Sequence, residues 1–349
     1  MTTNSRPEKP IILVASPLED EHVARIKSAG GDRVEIVHEA DLLPTPRYIG
    51  DHHGGPRSVT PEIRDRWSAL LAKANILFDF DLIDPANLPS NAPNVRWVQA
   101  TSAGIGEFLK KTGLDQSDIM FTTASGVHSR PLAEFSMLGM LHFLRGVPKL
   151  NEMKQAKHWE RYTVRGLYGA RALVVGLGSL GRAVAKDAAN FGMDVWGMRR
   201  RSEGPLPEGV SKIVEKSELR AALSNVDALV LACPLTEETR LLIDEPEIAA
   251  MKPGIVVVNI ARGAVINEGA LADALRSGHI SGAALDAFTV EPLPKESPLW
   301  ELPNTLISPH SASTVAAENG RIVDIFLDNL ERYLGGRPLR NLFERNRGY

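Results

Sequence analysis

The sequence predicts an α/β protein of two domains, each built on a parallel sheet. Short β-branched apolar runs alternate with helical patterns along the whole chain, the order that parallel sheets require. At 349 residues the chain is too long for one ordinary core. The alternation also starts twice, at Ile11 and again at Ala170, with a different kind of segment between. The composition, 43% apolar and 24% charged, is that of a globular protein and excludes disorder. A net charge of −3 offers no basic field for nucleic acid or an acidic membrane, so neither is an expected partner. The single cysteine, Cys233, excludes an intrachain disulfide and a Cys-based zinc site. It fits a reducing compartment. The apolar run from Ile11 to Ala15 is too short for a signal-peptide core, and no later run is long enough to span a membrane. A soluble, cytoplasmic protein is expected.

The elements follow in order. "IILVA" reads as a strand, "EDEHVARIKSAGG" as a helix ending at Gly30, and "RVEIV" as a strand. Residues 44–60, "PTPRYIGDHHGGPRSVT", are a loop by composition. A helix then opens with Pro61 in its first turn. Strands "NILFDF", "VRWVQA" and "IMFTTA" follow. "PLAEFSMLGMLHFLR", Pro131 to Arg145, is apolar on nearly every side and reads as a helix buried all round. The second series holds "ARALVV", "VDALVLA", "GIVVVNI", "SGAALDAF" and "NTLIS" as strands. "INEGALADALRSGHI" carries a helix between two of them, and residues 315–334 form an amphipathic closing helix.

"LVVGLGSLGRAVA" places Gly176, Gly178 and Gly181 in G-x-G-x-x-G spacing between a buried strand and a helix. That context marks a Rossmann-type dinucleotide cradle. Gly176 allows the tight turn, Gly178 lets the backbone approach a pyrophosphate, and Gly181 lets helix and strand pack closely. The phosphates then meet free amides at the helix N-terminus. Where an acid for the adenine ribose is expected, Arg199, Arg200 and Arg201 stand instead. Guanidinium groups pair with a 2′-phosphate through charge-assisted bonds. Two such bonds favour NADPH over NADH by about two decades or more. NADP(H) is therefore the favoured cofactor, with NAD(H) still possible.

The buried run from Ile255 to Val258 ends at Arg262, and carboxyl ends of parallel strands are where open sheets bind ligands. Glu291 in "LDAFTVEPLP" and His310 in "LISPHSAST" also fall at strand ends or loops. Taken singly, Glu291 before Pro292 reads as a turn residue and His310 after Pro309 as a loop histidine. Together, behind an intact cradle, the three read as a site.

These motifs, in this order, resemble the D-isomer-specific 2-hydroxyacid dehydrogenases over nearly the whole chain. They are "TTASGVHSRPLAEF", the glycine cradle, "CPLTEETRLLI", "MKPGIVVVNIARG", "ALDAFTVEPLP" and "SPHSAST". "TVEP" stands where the family often has "EPEP". The resemblance implies that Arg262, Glu291 and His310 are catalytic. Arg262 would hold a 2-keto acid by its carboxylate and carbonyl, His310 would exchange the proton, and Glu291 would raise the pKa of that histidine. It implies that the backbone at Ser102, Ala103 and Gly104 receives the substrate carboxylate. It implies cofactor contacts at Gly176, Gly178, Ser179, Leu180, Gly181, Arg199, Arg200, Arg201, Cys233, Pro234, Thr239, Ile260, Ala261, Asp286 and His310. No metal is expected.

By the same resemblance, residues 1–130 with 312–349 form a flavodoxin-like substrate domain and residues 131–311 the dinucleotide-binding domain. A homodimer is implied, with the helix from Pro131 near its interface. Reduction of a glyoxylate- or hydroxypyruvate-like acid to its D-2-hydroxy acid is the leading reading. The alternatives are a dinucleotide-sensing corepressor-like binding protein and a phosphoglycerate dehydrogenase-like enzyme. A formate dehydrogenase would carry glutamine in place of Glu291. His52 and His53 read as part of a solvated loop, since adjacent histidines alone make no zinc site.

Overall fold

The structure, a computed structural model, describes residues 9–200 and 203–345. The chain divides into unit 1, Met1–His128 with Thr314–Tyr349, and unit 2, Ser129–Ser313.

Unit 1 runs β1 (Ile11–Val14), α1 (Asp20–Gly30), β2 (Glu35–Val37), α2 (Pro61–Leu71), β3 (Ile76–Phe78), α3 (Leu88–Asn91), β4 (Trp97–Gln99), α4 (Gly106–Thr112) and β5 (Met120–Thr122). Pro61 opens α2, and the Thr60 hydroxyl accepts the Ile63 N–H at 3.3 Å. The five strands are all parallel in the order β2-β1-β3-β4-β5, the flavodoxin-like order expected. Strand residues alternate between two cores. Leu13, Leu77 and Val98 pack on one face with Trp67, Leu71 and Leu109. Ile12, Ile76, Phe78 and Trp97 pack on the other.

Unit 2 runs α5 (Ser129–Leu144), α6 (Val147–Gln155), β6 (Arg171–Val175), α7 (Ser179–Asn190), β7 (Asp194–Met198), β8 (Lys212–Val214), α8 (Leu219–Leu223), β9 (Ala228–Leu231), α9 (Glu245–Ala249), β10 (Ile255–Asn259), α10 (Glu268–Arg276), β11 (Ile280–Leu285) and β12 (Thr305–Ile307). The final helix, α11 (Glu318–Leu334), belongs to unit 1. It lays Ile322, Val323, Phe326 and Leu330 on the second core there. Phe326 stands edge-on to Phe78 and stacks on Trp97, with ring centroids 5.3 and 5.2 Å apart.

The sheet of unit 2 is parallel in the order β12-β11-β10-β9-β6-β7-β8. The chain winds outward from β6 in one direction, returns to β9, and winds outward in the other, as a doubly wound sheet does. Every residue of β10 is buried, with Ile255 and Val257 in one core and Val256 and Val258 in the other. Within the single chain α5 is buried on most of its surface, and Leu138 is 51% exposed on the remaining side. The opposite side is held very close: a methyl group on Gly139 would meet Ala284 Cβ at 2.5 Å. No helix among the described residues is long and apolar enough to cross a membrane.

Candidate active site

The sequence-predicted residues of unit 2 gather at the carboxyl edge of its sheet. Gly176 follows β6, Arg199 and Arg200 follow β7, and Cys233 follows β9. Ile260, Ala261 and Arg262 follow β10, Asp286 follows β11, and His310 follows β12. Arg201 lies outside the described residues.

The cradle shows three different reasons for glycine. Gly176 has φ 98°, and a Cβ there would meet the Ala232 carbonyl and Cys233 Cα at 2.7 Å. A Cβ on Gly181 would lie 1.7 Å from the Gly176 oxygen. Gly178 is different: its φ is −71°, and nothing in the chain lies within 4 Å of where its Cβ would be. The protein's own packing does not demand glycine there. The N-terminus of α7 is presented at this point, with Gly178 and Ser179 exposed and Leu180 half-buried. Such a surface suits a pyrophosphate, so the residues present fit a dinucleotide.

Other predicted contacts frame the same edge. The Thr239 hydroxyl donates to the Pro234 carbonyl at 2.7 Å and accepts the Thr236 N–H at 2.8 Å, fixing the loop after Cys233. Burial pushes the Cys233 thiol up to about 11, so it is inert at neutral pH. The Arg199 guanidinium donates to the carbonyls of Glu203 and Gly204, each at 3.0 Å, and so braces its own loop. Arg200 is exposed. Asp286 is buried, and its Oδ1 accepts from Ser308 Oγ at 2.6 Å and from the Ala312 N–H at 2.9 Å. Burial raises its pKa, against the pull of those donors.

The three charged residues come together. His310 Nδ1 lies 2.8 Å from Glu291 Oε2, while Glu291 Oε1 accepts the Phe288 N–H at 2.9 Å. The hydrogen bond to Glu291 raises the pKa of His310, with burial and the Arg262 charge opposing. For Glu291, burial acts upward, but the bonds from His310 and Phe288 and the nearby positive charges hold its pKa down. Because Nδ1 faces the carboxylate, Nε2 is the nitrogen left to address a substrate. No group of three or more His, Cys, Asp or Glu disposed to hold a metal occurs among the described residues.

Two positioning features escaped the sequence reading. Asn259, fully buried at the end of β10, accepts the Ala261 N–H at 3.0 Å and donates to the Arg262 carbonyl at 3.1 Å. It shapes the turn that presents Arg262. Gly263 then packs on the next loop, since a Cβ there would lie 1.9 Å from the Phe288 carbonyl carbon. Both were visible as residues, but an Asn ending a strand and a Gly after an Arg carry no distinctive spacing.

In unit 1, Ser102, Ala103 and Gly104 are exposed in the turn after β4. Asp79 secures that turn by accepting from the Thr101 hydroxyl at 2.9 Å. The solvated reading of His52 is corrected: it is 8% exposed. Asp51 is the reason. Its carboxylate accepts from Arg47 N, Nε and Nη2 and from the Gly54 N–H at 2.7–3.0 Å, which winds the loop tight and turns His52 inward. His53 stays exposed.

Comparison with known proteins decides the family. Residues 137–312 match the family model described as the NAD binding domain of D-isomer specific 2-hydroxyacid dehydrogenases. The chain belongs to this family. A (S)-sulfolactate dehydrogenase of Chromohalobacter salexigens is 35% identical over 70% of this chain and 79% of its own length. A glyoxylate reductase of Korarchaeum cryptofilum is 32% identical over 75% of this chain and 80% of its own. A crystal structure of a D-isomer specific 2-hydroxyacid dehydrogenase from Xanthobacter autotrophicus, in complex with NADPH, matches with TM-score 0.78 and 28% identity. It covers 98% of this chain and 100% of that one. As a member of the 2-hydroxyacid dehydrogenases, the protein is an NAD(P)-dependent oxidoreductase of small 2-hydroxy and 2-keto acids.

Proposed function

We propose that this 2-hydroxyacid dehydrogenase reduces a small 2-keto acid of the glyoxylate or hydroxypyruvate kind to its D-2-hydroxy acid, with NADPH preferred. The observation that carries the reading is the His310–Glu291 pair at 2.8 Å, in the field of Arg262. The nicotinamide cofactor supplies the hydride. The Arg262 fork holds the keto acid by its carboxylate and carbonyl, and its charge polarises that carbonyl. His310, whose protonated form the bond to Glu291 favours, gives its Nε2 proton to the carbonyl oxygen and takes it back in the reverse direction. With the cofactor bound, the Asp286 carboxylate would accept from its carboxamide, and the turn at Ser102, Ala103 and Gly104 would receive the substrate carboxylate.

The cofactor preference rests on Arg200, on the missing ribose acid, and on a loop braced by Arg199. A homodimer is supported by exposed apolar side chains of unit 2: Leu138, Leu150, Trp159 at 95% exposure and Tyr168 at 90%. Trp159→Glu is expected to shift the mass in sedimentation from dimer to monomer.

The reaction is tested by NADPH absorbance loss over a series of 2-keto acids. Wild-type protein is expected to turn over, and His310→Gln to lose about 10²- to 10⁴-fold in turnover. Turnover that survives in the variant would sink the proton assignment.

A further inference from the structure

The chain leaves β3 in a conformation that few residues adopt. Asp79, the next residue, has φ 71°, in the left-handed region where an L side chain is strained. Five described residues other than glycine have positive φ; Asp79, at 5% exposure, is the buried one, and His310 is another. Strained backbone persists only where its surroundings hold it, and such positions gather at functional sites.

What holds Asp79 is β4. Its N–H donates to the Gln99 carbonyl at 2.7 Å, so the bonding between the two strands runs one residue past β3. The left-handed turn brings the carboxylate to the end of β4. There Oδ2 accepts the Thr101 hydroxyl at 2.9 Å and Oδ1 accepts the Thr101 N–H at 3.4 Å. Thr101 is buried, and the three residues after it, Ser102, Ala103 and Gly104, are exposed. From β5, the other neighbour of β4, the Ala124 N–H donates to the Ser102 carbonyl at 3.0 Å. The turn is thus gripped from both sides, and neither grip uses the N–H groups of Ser102, Ala103 or Gly104.

A buried carboxylate beside the seat of an anion needs its own donors and counter-charge. Thr101 supplies two donors. His52 supplies the charge: burial would lower its pKa, but Glu318, 3.7 Å away, and the charges of Asp79 and Glu19 outweigh burial and raise it. His128 lies 3.1 Å from the same Glu318 oxygen. Burial would raise the Glu318 carboxyl, and the two imidazoles bring it down to about 2. The field of Asp79 is therefore met inside unit 1 by Thr101 and the His52 imidazole.

We infer that Asp79 is a positioning residue for the substrate: with Thr101 it sets the backbone at Ser102, Ala103 and Gly104 in the shape that receives the substrate carboxylate. This rests on the 2-keto acid reductase reading and adds the residues that hold its carboxylate seat in place. Donors on a turn bind an anion well only while they are held to a fraction of an ångström.

The experiment measures KM and kcat for glyoxylate and hydroxypyruvate, NADPH affinity and Tm in wild type, Asp79→Gly, Asp79→Asn and Thr101→Val. Asp79→Gly keeps a backbone free to take positive φ and removes the carboxylate. Thr101→Val keeps the shape and removes the hydroxyl, and it serves if Asp79→Gly fails to fold. Each is expected to raise KM by about tenfold. Because a carboxylate contact is alike in ground and transition states, kcat is expected to stay within about twofold. NADPH affinity is expected to hold, since the glycine cradle lies in unit 2. Asp79→Asn keeps an acceptor oxygen and tolerates positive φ, so its KM is expected within about threefold of wild type. The double variant Asp79→Gly/Thr101→Val is expected to be no worse than either single one, since both break the same contact. A lowered Tm with KM unchanged, or a fall in kcat at unchanged KM, would overturn this inference alone. Wild-type protein that binds NADPH but turns over no keto acid would overturn the reductase reading and this one with it.

Discussion

The glycines of the cradle make a paired prediction, because two of them are glycine for opposite reasons. In Gly181→Ala the new methyl would lie 1.7 Å from the Gly176 oxygen and 2.9 Å from its carbon. Both are backbone atoms, so no side chain can swing aside and α7 must move off the turn. Overpacking of this kind costs about 1–3 kcal/mol. For a domain the size of unit 2 that is a Tm drop of about 3–10 °C. In Gly178→Ala the methyl meets nothing within 4 Å, and φ of −71° is open to any residue. Alanine restricts the unfolded chain, a gain of about 0.4–1 kcal/mol. It is also a poorer N-cap than glycine, a loss of similar size. The net change is expected within about 0.5 kcal/mol, and Tm within about 2 °C. Yet the same methyl stands where a pyrophosphate would meet the amides of α7, so NADPH affinity is expected to fall by about tenfold or more. Calorimetry of the apo protein and NADPH fluorescence titration read the two effects separately. Gly178→Ala binding NADPH as wild type does would refute the claim that the pyrophosphate rests on Gly178.

Two further predictions follow from the site. Glu291 raises the pKa of His310, so the protonated acid, and with it keto-acid reduction, is full at low pH and lost as pH rises through that pKa. Glu291→Gln is expected to move the alkaline limb of kcat/KM to lower pH, and an unmoved limb would show that Glu291 does not tune the histidine. Arg200→Ala is expected to lower the NADPH/NADH ratio of kcat/KM by about tenfold. Arg199→Asp is expected to lower it too, together with Tm, since its guanidinium braces the carbonyls of Glu203 and Gly204. A ratio unchanged in both would remove the arginines from cofactor choice.

Much of this was legible because it rests on local patterns. The unbroken run from Ile255 to Val258 is what a doubly buried strand needs, and β10 is buried on both faces. The glycine spacing between strand and helix carried the cradle, and the ends of β10 and β12 carried Arg262 and His310. What stayed hidden depends on partners distant in sequence. The inward turn of His52 is set by the five donors around Asp51 and by Glu318 near the other end of the chain. Composition alone described that stretch as a loop, and the inference from loop to solvated failed there. The exposure of Leu138 was hidden for another reason. An apolar residue on a helix with apolar neighbours all round carries no mark of which side will face outward.

The placement of α11 has a consequence for biosynthesis. Its residues Ile322, Val323, Phe326 and Leu330 close the core formed by Ile12, Phe78 and Trp97. Unit 2, by contrast, is one continuous stretch of chain ending at Ser313. As the chain leaves the ribosome, the second unit has all its parts before the first one does. The strands made earliest must hold an uncovered apolar face until the last helix arrives, a window in which a chaperone has more to offer them than their own neighbours.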